Sequence, residues 1–233
     1  MTNKGRLLLI PCPVSEGKIE SLSAETLKAL HQTTYFIVER AKTARHFIKS
    51  SGHPVAISEL NILEISDDKS ENIAFLNQMN DGHDIGVISE AGCPGVADPG
   101  SEMVAWAHQN GIKVVPLIGP SSILLAVMAS GFSGQSFAFN GYLSNKKPEL
   151  IQQLKQLEIK VKKSGQTQVF METPYRNGFM IETCLQTLEA HTKLCIACDI
   201  NCETEEIKSM IIEKWKKEIT TSYHKRLCIF LLG

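Results

Sequence analysis

Five short segments of small, polar and turn-forming residues each follow an apolar run in this sequence. The longest, Ser89–Gly100, reads SEAGCPGVADPG, comes after Ile85–Ile88 and holds three glycines and two prolines. Glycine permits close approaches that a Cβ would block and proline removes freedom, so the segment is predicted to be a tightly turned loop. Such a loop at the carboxyl end of a parallel strand is where α/β proteins bind ligands, although a plain strand-to-helix connection has a similar composition.

The other four segments also come directly after predicted strands. They are Pro11–Pro13, Glu39–Arg40, Gly119–Ser122 and Met171–Pro174. In a doubly wound sheet, loops at the carboxyl ends of strands meet at one edge and form a crevice rich in backbone N–H groups and small side chains. Such a crevice suits a ligand with a polar, amino-acid-like end and a flat, apolar base.

The sequence contains no motif typical of nucleotide-binding proteins or of hydrolases. The chain has no GK[ST] for a phosphate-binding P-loop, and the glycines of the longest segment do not give GxGxxG. Ser89, Ser121 and Ser122 lack a nucleophile elbow, and none of the seven histidines falls in a recognisable triad. No nucleophile or general base is therefore assigned.

Seven cysteines are scattered along the chain, and this odd number favours reduced thiols in a cytoplasmic protein. Cys195, Cys198 and Cys202 could suggest a metal site. However, Cys195 and Cys198 lie in KLCIACDI, which is typical of a buried strand, so their side chains are expected on opposite faces of the sheet. Opposite faces do not suit a shared ion, and no metal site is predicted.

Composition and hydropathy set broad limits on function. Of 233 residues, 43% are hydrophobic and 21% are charged, and the formal net charge of −1 gives no global positive field that would indicate a nucleic-acid partner. No apolar run reaches the roughly 18 residues of a membrane span. The N-terminal apolar segment, interrupted by Pro11 and Pro13, is too short for a secretory signal. We therefore expect a cytoplasmic protein without membrane contact.

The order of predicted elements differs between the two halves of the chain. The first half alternates strands and helices, which predicts a mostly parallel sheet with helices on both faces. The second half has fewer helices between its strands, which predicts a mixed sheet in a second α/β domain. The domains are placed at residues 1–117 and 118–233. Three local predictions are Asp98 as N-cap of a helix over Gly100–Gln109, a polar loop over Asn140–Pro148 and a short helix over Glu213–Ile219.

Six segments then occur in an order that matches a known family: GRLLLIPCPV, SEAGCPGVADPG, VPLIGPSSILLAVMASG, FNGYL, METPYRN and KRLCIFLL. Through them the chain resembles the tetrapyrrole methylase superfamily of S-adenosylmethionine-dependent methyltransferases over essentially its whole length. Within that superfamily it looks like the branch of ribosomal RNA small-subunit methyltransferases I, which methylate cytidine at the 2′-oxygen.

The resemblance implies two α/β domains, a homodimer and S-adenosylmethionine folded into the interdomain cleft. Methyl transfer would need mainly alignment of methyl, sulfur and nucleophile, which is catalysis by proximity. By matching motif, loop residues and one methionine would line the cofactor: Pro11, Cys12, Pro13, Ser89, Ala91, Gly92, Cys93, Pro94, Gly95, Val96, Ala97, Asp98, Ser121, Ser122 and Met171.

The same resemblance also implies substrate contacts, although the residues on the substrate side match the family's motifs less closely than the cofactor loops do. Two carboxylates and four cations are candidates: Glu39, Arg40, Lys146, Lys147, Glu172 and Arg176. Lys146 and Lys147 could instead belong to a solvated loop, and Glu172 and Arg176 could form a structural ion pair.

The sequence departs from the ribosomal RNA branch on this substrate side. The branch's GFLP, ESPHR and EDTR become GYLS, ETPYR and ER. The strand that reads ARELTK in the branch is ACDINC here, so its arginine and lysine become Cys198 and Cys202. Because phosphate contacts dominate RNA affinity, two lost cations weaken the case for an identical substrate.

Three hypotheses follow and remain open at this point. The chain methylates RNA, with the 2′-oxygen of ribosomal RNA as the expected acceptor; it methylates a tetrapyrrole-like or other small molecule; or it binds the cofactor without catalysis, as a regulatory protein. All three share the cofactor loops and differ only in the substrate side.

Overall fold

The computed structural model of the chain describes residues 4–218 and 220–233. It divides the chain into two compact units, with unit 1 ending at Ser121 and unit 2 beginning at Ser122. The boundary proposed from the sequence, after residue 117, lies in the same connection between the last strand of unit 1 and the first helix of unit 2. No helix of the described ranges has the length and hydropathy needed to cross a bilayer.

Unit 1 is built on a parallel sheet with strand order β3-β2-β4-β1-β5. Its strands are β1 (Arg6–Leu9), β2 (Tyr35–Val38), β3 (Asn61–Glu64), β4 (Ile85–Ile88) and β5 (Lys113–Pro116). Its helices are α1 (Ala24–Gln32), α2 (Ala41–Ser50), α3 (Lys69–Leu76) and α4 (Ser101–Gln109).

The parallel sheet is covered on both faces because its central strands carry apolar side chains on both faces. In β1, Leu8 packs with Leu30 of α1 and Phe47 of α2, whereas the adjacent Leu7 packs with Leu76 and with Met103 of α4. Side chains of neighbouring strand residues point to opposite faces, so an uninterrupted apolar run fills two cores at once.

Unit 2 holds a mixed sheet with strand order β6-β7-β10-β8-β9, in which only β6 and β7 pair in parallel. Its strands are β6 (Phe137–Tyr142), β7 (Thr167–Met171), β8 (Lys193–Cys198), β9 (Glu206–Ile211) and β10 (Cys228–Leu232). Its helices are α5 (Ser122–Ser130), α6 (Lys147–Ser164), α7 (Asn177–Thr187) and α8 (Ile212–Trp215).

The core of unit 2 also lies on both faces of its sheet. Cys198 packs with Leu150 of α6, while Cys195 packs with Ile123 of α5 on the other face. The two cysteines of the CIAC run therefore point in opposite directions, as the strand pattern predicts, and each serves as a small apolar side chain.

The two predicted sheets, parallel in the first unit and mixed in the second, are confirmed. Three local predictions need correction. The helix α4 has Gly100, not Asp98, at its N-cap, with no side-chain capping bond. The polar loop is shorter, because β6 continues to Tyr142 and α6 already begins at Lys147. The short helix near the carboxyl end is α8, Ile212–Trp215, and Ile219 of the predicted range lies outside the described residues.

Candidate functional site

Backbone hydrogen bonds join two loops at the carboxyl edge of the sheet in unit 1. The strand β1 lies between β4 and β5, so the loops that follow these three strands are neighbours. Cys12 N donates to Gly92 O at 2.8 Å and Gly92 N donates to Cys12 O at 3.1 Å, which forms an isolated antiparallel bridge. The predicted convergence of Pro11–Pro13 with Ser89–Gly100 is therefore present in the structure.

The third loop, Gly119–Ser121, also lies against these two. Cys93 Sγ is 3.4 Å from Pro120 O, within reach of a weak thiol hydrogen bond. A Cβ added to Gly119 would lie 2.2 Å from Pro11 Cγ, so only glycine allows this close approach. The three predicted cofactor loops of unit 1 thus form one cluster.

The glycine-rich loop is folded back on itself before α4 begins. Gly95 N donates to Pro99 O at 3.1 Å, and Gly100 has φ of 137°, a conformation that favours glycine. Because this turn includes Pro99, the helix starts only after Gly100, which explains why Asp98 is not its N-cap. Ala97 has φ of 65°, a conformation uncommon for a residue with a Cβ, so the surrounding loop holds it there.

Three carboxylates gather beside this loop. Glu39 Oε2 accepts a hydrogen bond from Glu90 N at 3.1 Å, and Arg40 Nε lies 3.5 Å from Glu90 Oε2. Burial raises the pKa of the Asp98 carboxyl to about 6, and the charges of Glu39 and Glu90 raise it too, whereas a hydrogen bond with Ser89 lowers it. Asp98 can therefore change its protonation state near neutral pH.

The two cysteines of the loop cluster are not poised as nucleophiles. Burial, followed by the charge of Asp98, raises the pKa of Cys12 to about 12, and the same two causes raise the pKa of Cys93. A neutral thiol is a poor nucleophile and a poor metal ligand. Cys12 Sγ instead donates to Ser89 O at 3.3 Å, so this side chain supports the loop.

In unit 2, the predicted residue Met171 ends β7 and leads into an ion pair between a buried carboxylate and a half-buried cation. Glu172 Oε2 and Arg176 Nη2 lie 3.3 Å apart, but not in hydrogen-bond geometry, and neither atom has a hydrogen-bond partner among the described residues. The second carboxylate oxygen, Oε1, accepts from Thr173 N at 2.7 Å. Buried polar atoms are normally satisfied, so these two atoms mark the strand end as a candidate site for a polar ligand.

An exposed aromatic ring lies between the two members of this ion pair in the sequence. Tyr175 is 72% exposed, and Lys225 Nζ lies 5.9 Å from the centre of its ring. In the sequence, Tyr175 is a departure from the related branch and is not among the predicted site residues. The signal available in the sequence is an aromatic residue between two candidate contacts, Glu172 and Arg176.

The other cationic candidates of unit 2 already have partners within the chain. Lys146 Nζ lies 3.3 Å from Glu149 Oε1, and Lys147 Nζ donates to Gln186 Oε1 at 3.2 Å. Both lysines are exposed, so these contacts contribute little to stability. Ser122, the remaining cofactor candidate, is the first residue of α5.

Glu90 is a second residue outside the predicted site. Its backbone N–H donates to Glu39, and its carboxylate contacts Arg40 and also accepts from Thr43 Oγ1 at 3.4 Å. Glu90 therefore links the loop after β4 to the start of α2. A glutamate within two residues of the end of each of two adjacent strands is the pattern that could have indicated this contact.

Most of the chain matches a known protein family. A family model described as Tetrapyrrole (Corrin/Porphyrin) Methylases matches residues 14–212. The chain belongs to this family. The expected resemblance is therefore confirmed.

Two relatives of the chain carry the name Ribosomal RNA small subunit methyltransferase I. The one from Buchnera aphidicola is 27% identical over 235 residues, which cover 100% of this chain and 79% of the relative. The one from Vibrio cholerae is 27% identical over 204 residues, which cover 88% of this chain and 68% of the relative. The predicted methyltransferase activity is thereby confirmed.

A solved structure supports the fold of the chain. The methyltransferase CobJ is similar with a TM-score of 0.65 and 16% sequence identity, covering 98% of this chain and 94% of CobJ. At this identity the similarity shows a shared fold and leaves the substrate open.

Proposed function

We propose that the chain transfers a methyl group from S-adenosylmethionine to a ribose 2′-oxygen of ribosomal RNA. The observation that carries this proposal is the similarity, along the whole chain, to a relative named Ribosomal RNA small subunit methyltransferase I. An RNA substrate of this kind agrees with the cytoplasmic location and the homodimer expected from the sequence. The dimer is checked by sedimentation of the purified chain.

The loop cluster of unit 1 fits the proposed methyl donor. A Cβ on Gly92 would lie 3.6 Å from Pro120 O and 3.8 Å from Val14 Cγ1, so glycine leaves a gap that a side chain would fill. Ala91, Gly95 and Ala97 are exposed and small, which lets a ligand reach the loop backbone. When bound, S-adenosylmethionine supplies an electrophilic methyl group on its sulfonium sulfur.

The protein's part in such a reaction is to hold and orient. We assign the donor to Pro11–Pro13, Ser89, Ala91–Asp98 and Ser121 of unit 1, together with Ser122 and Met171 of unit 2. The bridge between Cys12 and Gly92 fixes the first two loops, so little ordering is needed when a ligand binds. Because binding in a reactive geometry can supply much of the rate enhancement, no strong base is required.

We assign the RNA to the carboxyl end of β7 and the segment after it. The unmet hydrogen-bonding capacity of Glu172 and Arg176 suits the hydroxyl and phosphate groups of a nucleotide. Tyr175 offers an exposed ring on which an unpaired base can stack, and Lys225 beside it adds positive charge. An aromatic ring next to cations is a common combination in proteins that bind single-stranded RNA.

A small, tetrapyrrole-like substrate is the second candidate, and one observation favours it. The cations of unit 2 expected to meet RNA already contact Glu149, Gln186 and Glu172 within the chain. However, the cysteine in place of the branch's arginine is weak evidence against an RNA substrate. Cys198 is buried, with its Sγ 3.3 Å from Cys228 Sγ, so this position is not part of the exposed surface that RNA would contact.

The test is methyl transfer from labelled S-adenosylmethionine to three acceptors: free small-subunit ribosomal RNA, the assembled small subunit and a tetrapyrrole. We expect label in RNA, at a nucleotide whose 3′ phosphodiester bond resists alkaline cleavage because its 2′-oxygen carries the methyl group. The variant Tyr175→Ala should raise the KM for RNA, whereas Phe137→Ala, an exposed aromatic residue at the amino end of β6, serves as the matched control.

Each alternative gives a different result. Label in the tetrapyrrole alone would replace the RNA proposal with the second candidate. If S-adenosylhomocysteine raises the melting temperature but no acceptor is labelled, the chain is a cofactor-binding protein without catalysis. No thermal shift at all would contradict the cofactor assignment that all three hypotheses share.

A further inference from the structure

A short segment of unit 1 is strongly basic in a chain that is nearly neutral overall. Between Arg40 and Ser58 the sequence has four Lys or Arg residues, two His and no Asp or Glu, whereas the whole chain has a formal net charge of −1. Most of this charge lies on α2, Ala41–Ser50. This helix therefore carries three Lys or Arg residues and one His with no carboxylate of its own.

The basic residues of α2 occupy one side of the helix. Lys42, Arg45, His46 and Lys49 are spaced by three, four and seven residues, which places them on one face, and all four are exposed. The opposite face, with Phe47 as its largest side chain, is buried in the core of unit 1. Seven residues of α-helix cover about 10 Å, so the basic face is a stripe of roughly that length.

Among the residues that the structure describes, three of these cations have no counterion. Lys42, Arg45 and Lys49 form no ion pair and no side-chain hydrogen bond there, and His46 contacts only Glu16, at 3.9 Å. The helix dipole favours only Lys49, which lies in the last turn of α2. Lys42 lies in the first turn, where a cation does not stabilise a helix and where α2 has no acidic residue.

Both ends of the stripe lie next to features that a nucleic acid could use. At its start, Thr43 and Arg40 contact Glu90, so the stripe begins beside the glycine-rich loop. At its other end lies an open pocket of about 600 Å³, lined by basic and apolar side chains. Its lining includes Arg45, His46, Lys49, His53, Val55 and Ile57. Unpaired cations beside an apolar hollow suit phosphates with a base between them.

We propose that the basic face of α2 (Lys42, Arg45, His46 and Lys49) binds backbone phosphates of the RNA that the enzyme modifies. This inference rests on the proposed function, since it names where the same substrate is held outside the methyl-transfer site. Phosphate contacts of this kind release counterions, so each one makes binding more dependent on salt. The stripe therefore contributes affinity without base specificity.

The experiment measures binding of small-subunit ribosomal RNA by fluorescence anisotropy at several salt concentrations. The test variant is K42Q/R45Q/K49Q, and the matched control is K155Q/K160Q/K163Q, which removes three exposed lysines from α6. In the test variant we expect the Kd to rise by about 10- to 100-fold near 0.1 M salt and the salt slope to fall by about 2. The affinity for S-adenosylhomocysteine and the melting temperature should match those of the wild type, because the three side chains bind no other side chain in the part of the protein that the structure describes.

Three outcomes would overturn the inference. If the wild type binds RNA and the test variant binds it equally well with the same salt slope, the stripe is not a phosphate site, and the proposed function stands. If the test variant loses affinity for the assembled subunit but not for free RNA, the stripe meets a ribosomal protein. If the wild type binds no RNA and labels only a tetrapyrrole, the proposed function itself fails.

Discussion

The two units build polar sites in different ways. In unit 1, backbone groups of loops that follow adjacent parallel strands bind one another, as in the bridge between Cys12 and Gly92. In unit 2, side chains far apart in the sequence form an ionic network centred on Arg226. Its Nε donates to Asp199 Oδ2 at 2.7 Å, and its Nη1 donates to Glu206 Oε2 at 3.2 Å.

This difference decides what a substitution does in each unit. A site made from backbone depends on glycines that allow close approach, and almost any side chain added there is harmful. A site made from charged side chains depends on pairing, and the loss of one partner leaves a charge unsatisfied. Three variants test this contrast.

The variant Gly119→Ala should have the largest effect. Its Cβ would lie 2.2 Å from Pro11 Cγ, so the loops after β1 and β5 must separate. We expect a loss of about 1–3 kcal/mol in the free energy of unfolding and at least about a tenfold loss of S-adenosylhomocysteine affinity, measured by denaturation and calorimetry.

The control for this variant is Gly134→Ala in unit 2, where an added Cβ would meet its nearest atom, Val127 Cγ1, at 3.7 Å. It should bind S-adenosylhomocysteine like the wild type. Equal behaviour of the two variants would show that close packing of the loops is unimportant for the cofactor.

The variant Arg226→Gln should come next in effect. The side chains of Arg226 and Asp199 are only 21% and 15% exposed, so the unpaired Asp199 stays largely shielded from water. We expect urea unfolding to show a loss of about 2–3 kcal/mol. The control Lys69→Gln breaks the exposed pair with Glu102 and should cost at most about 0.5 kcal/mol. Similar losses in both would mean that the network gains nothing from burial.

The variant Asp98→Asn should change the free energy of unfolding by less than Arg226→Gln does, and by an amount that depends on pH. The folded-state pKa of Asp98 is raised to about 6, above the value of about 4 in an unfolded chain, so folding favours the protonated form. The stability that this group contributes is complete below about pH 4 and is lost as the pH rises to about 6. Removing the charge should therefore stabilise the protein above pH 6, by about 1–2 kcal/mol after allowance for its partial exposure, and hardly at pH 4.

Thermal unfolding from pH 4 to pH 8 checks this prediction. The variant Asp67→Asn, at an exposed position of the same unit, is the matched control and should follow the wild-type curve. A difference between Asp98→Asn and the wild type that stays constant with pH would contradict the raised pKa.

Much of the fold was predictable because local patterns agree with the tertiary structure. The strand β2 coincides with an apolar run that ends at charged Glu39, and α2 coincides with a segment whose apolar residues lie on one side of a helix. The Asp98 prediction was wrong because the turn closed by Gly95 and Pro99 displaces the helix start, and capping rules see only neighbours in sequence.

The candidate site was predictable to the extent that backbone builds it. Glycine and proline mark the loops of unit 1, and the order of parallel strands then brings those loops together. The pairing of Asp199 with Arg226, 27 residues apart, has no such local signal. The contact between Cys198 and Cys228 also has no local signal in the sequence, because it depends on the register between β8 and β10.

The central claim, that the loops of unit 1 hold the methyl donor, is tested most directly by alkylation of Cys93. This thiol is half-buried beside Pro120 and its pKa is raised, chiefly by burial, so its modification by iodoacetamide is slow. Mass spectrometry can follow this slow modification at pH 8.5 under excess reagent, with and without S-adenosylhomocysteine. The half-buried Cys202 of unit 2 serves as internal control. We predict that saturating ligand slows the modification of Cys93 by about tenfold or more, as expected if binding blocks access, and leaves Cys202 unchanged. An unchanged rate at Cys93, under conditions where calorimetry shows the ligand bound, would contradict the account.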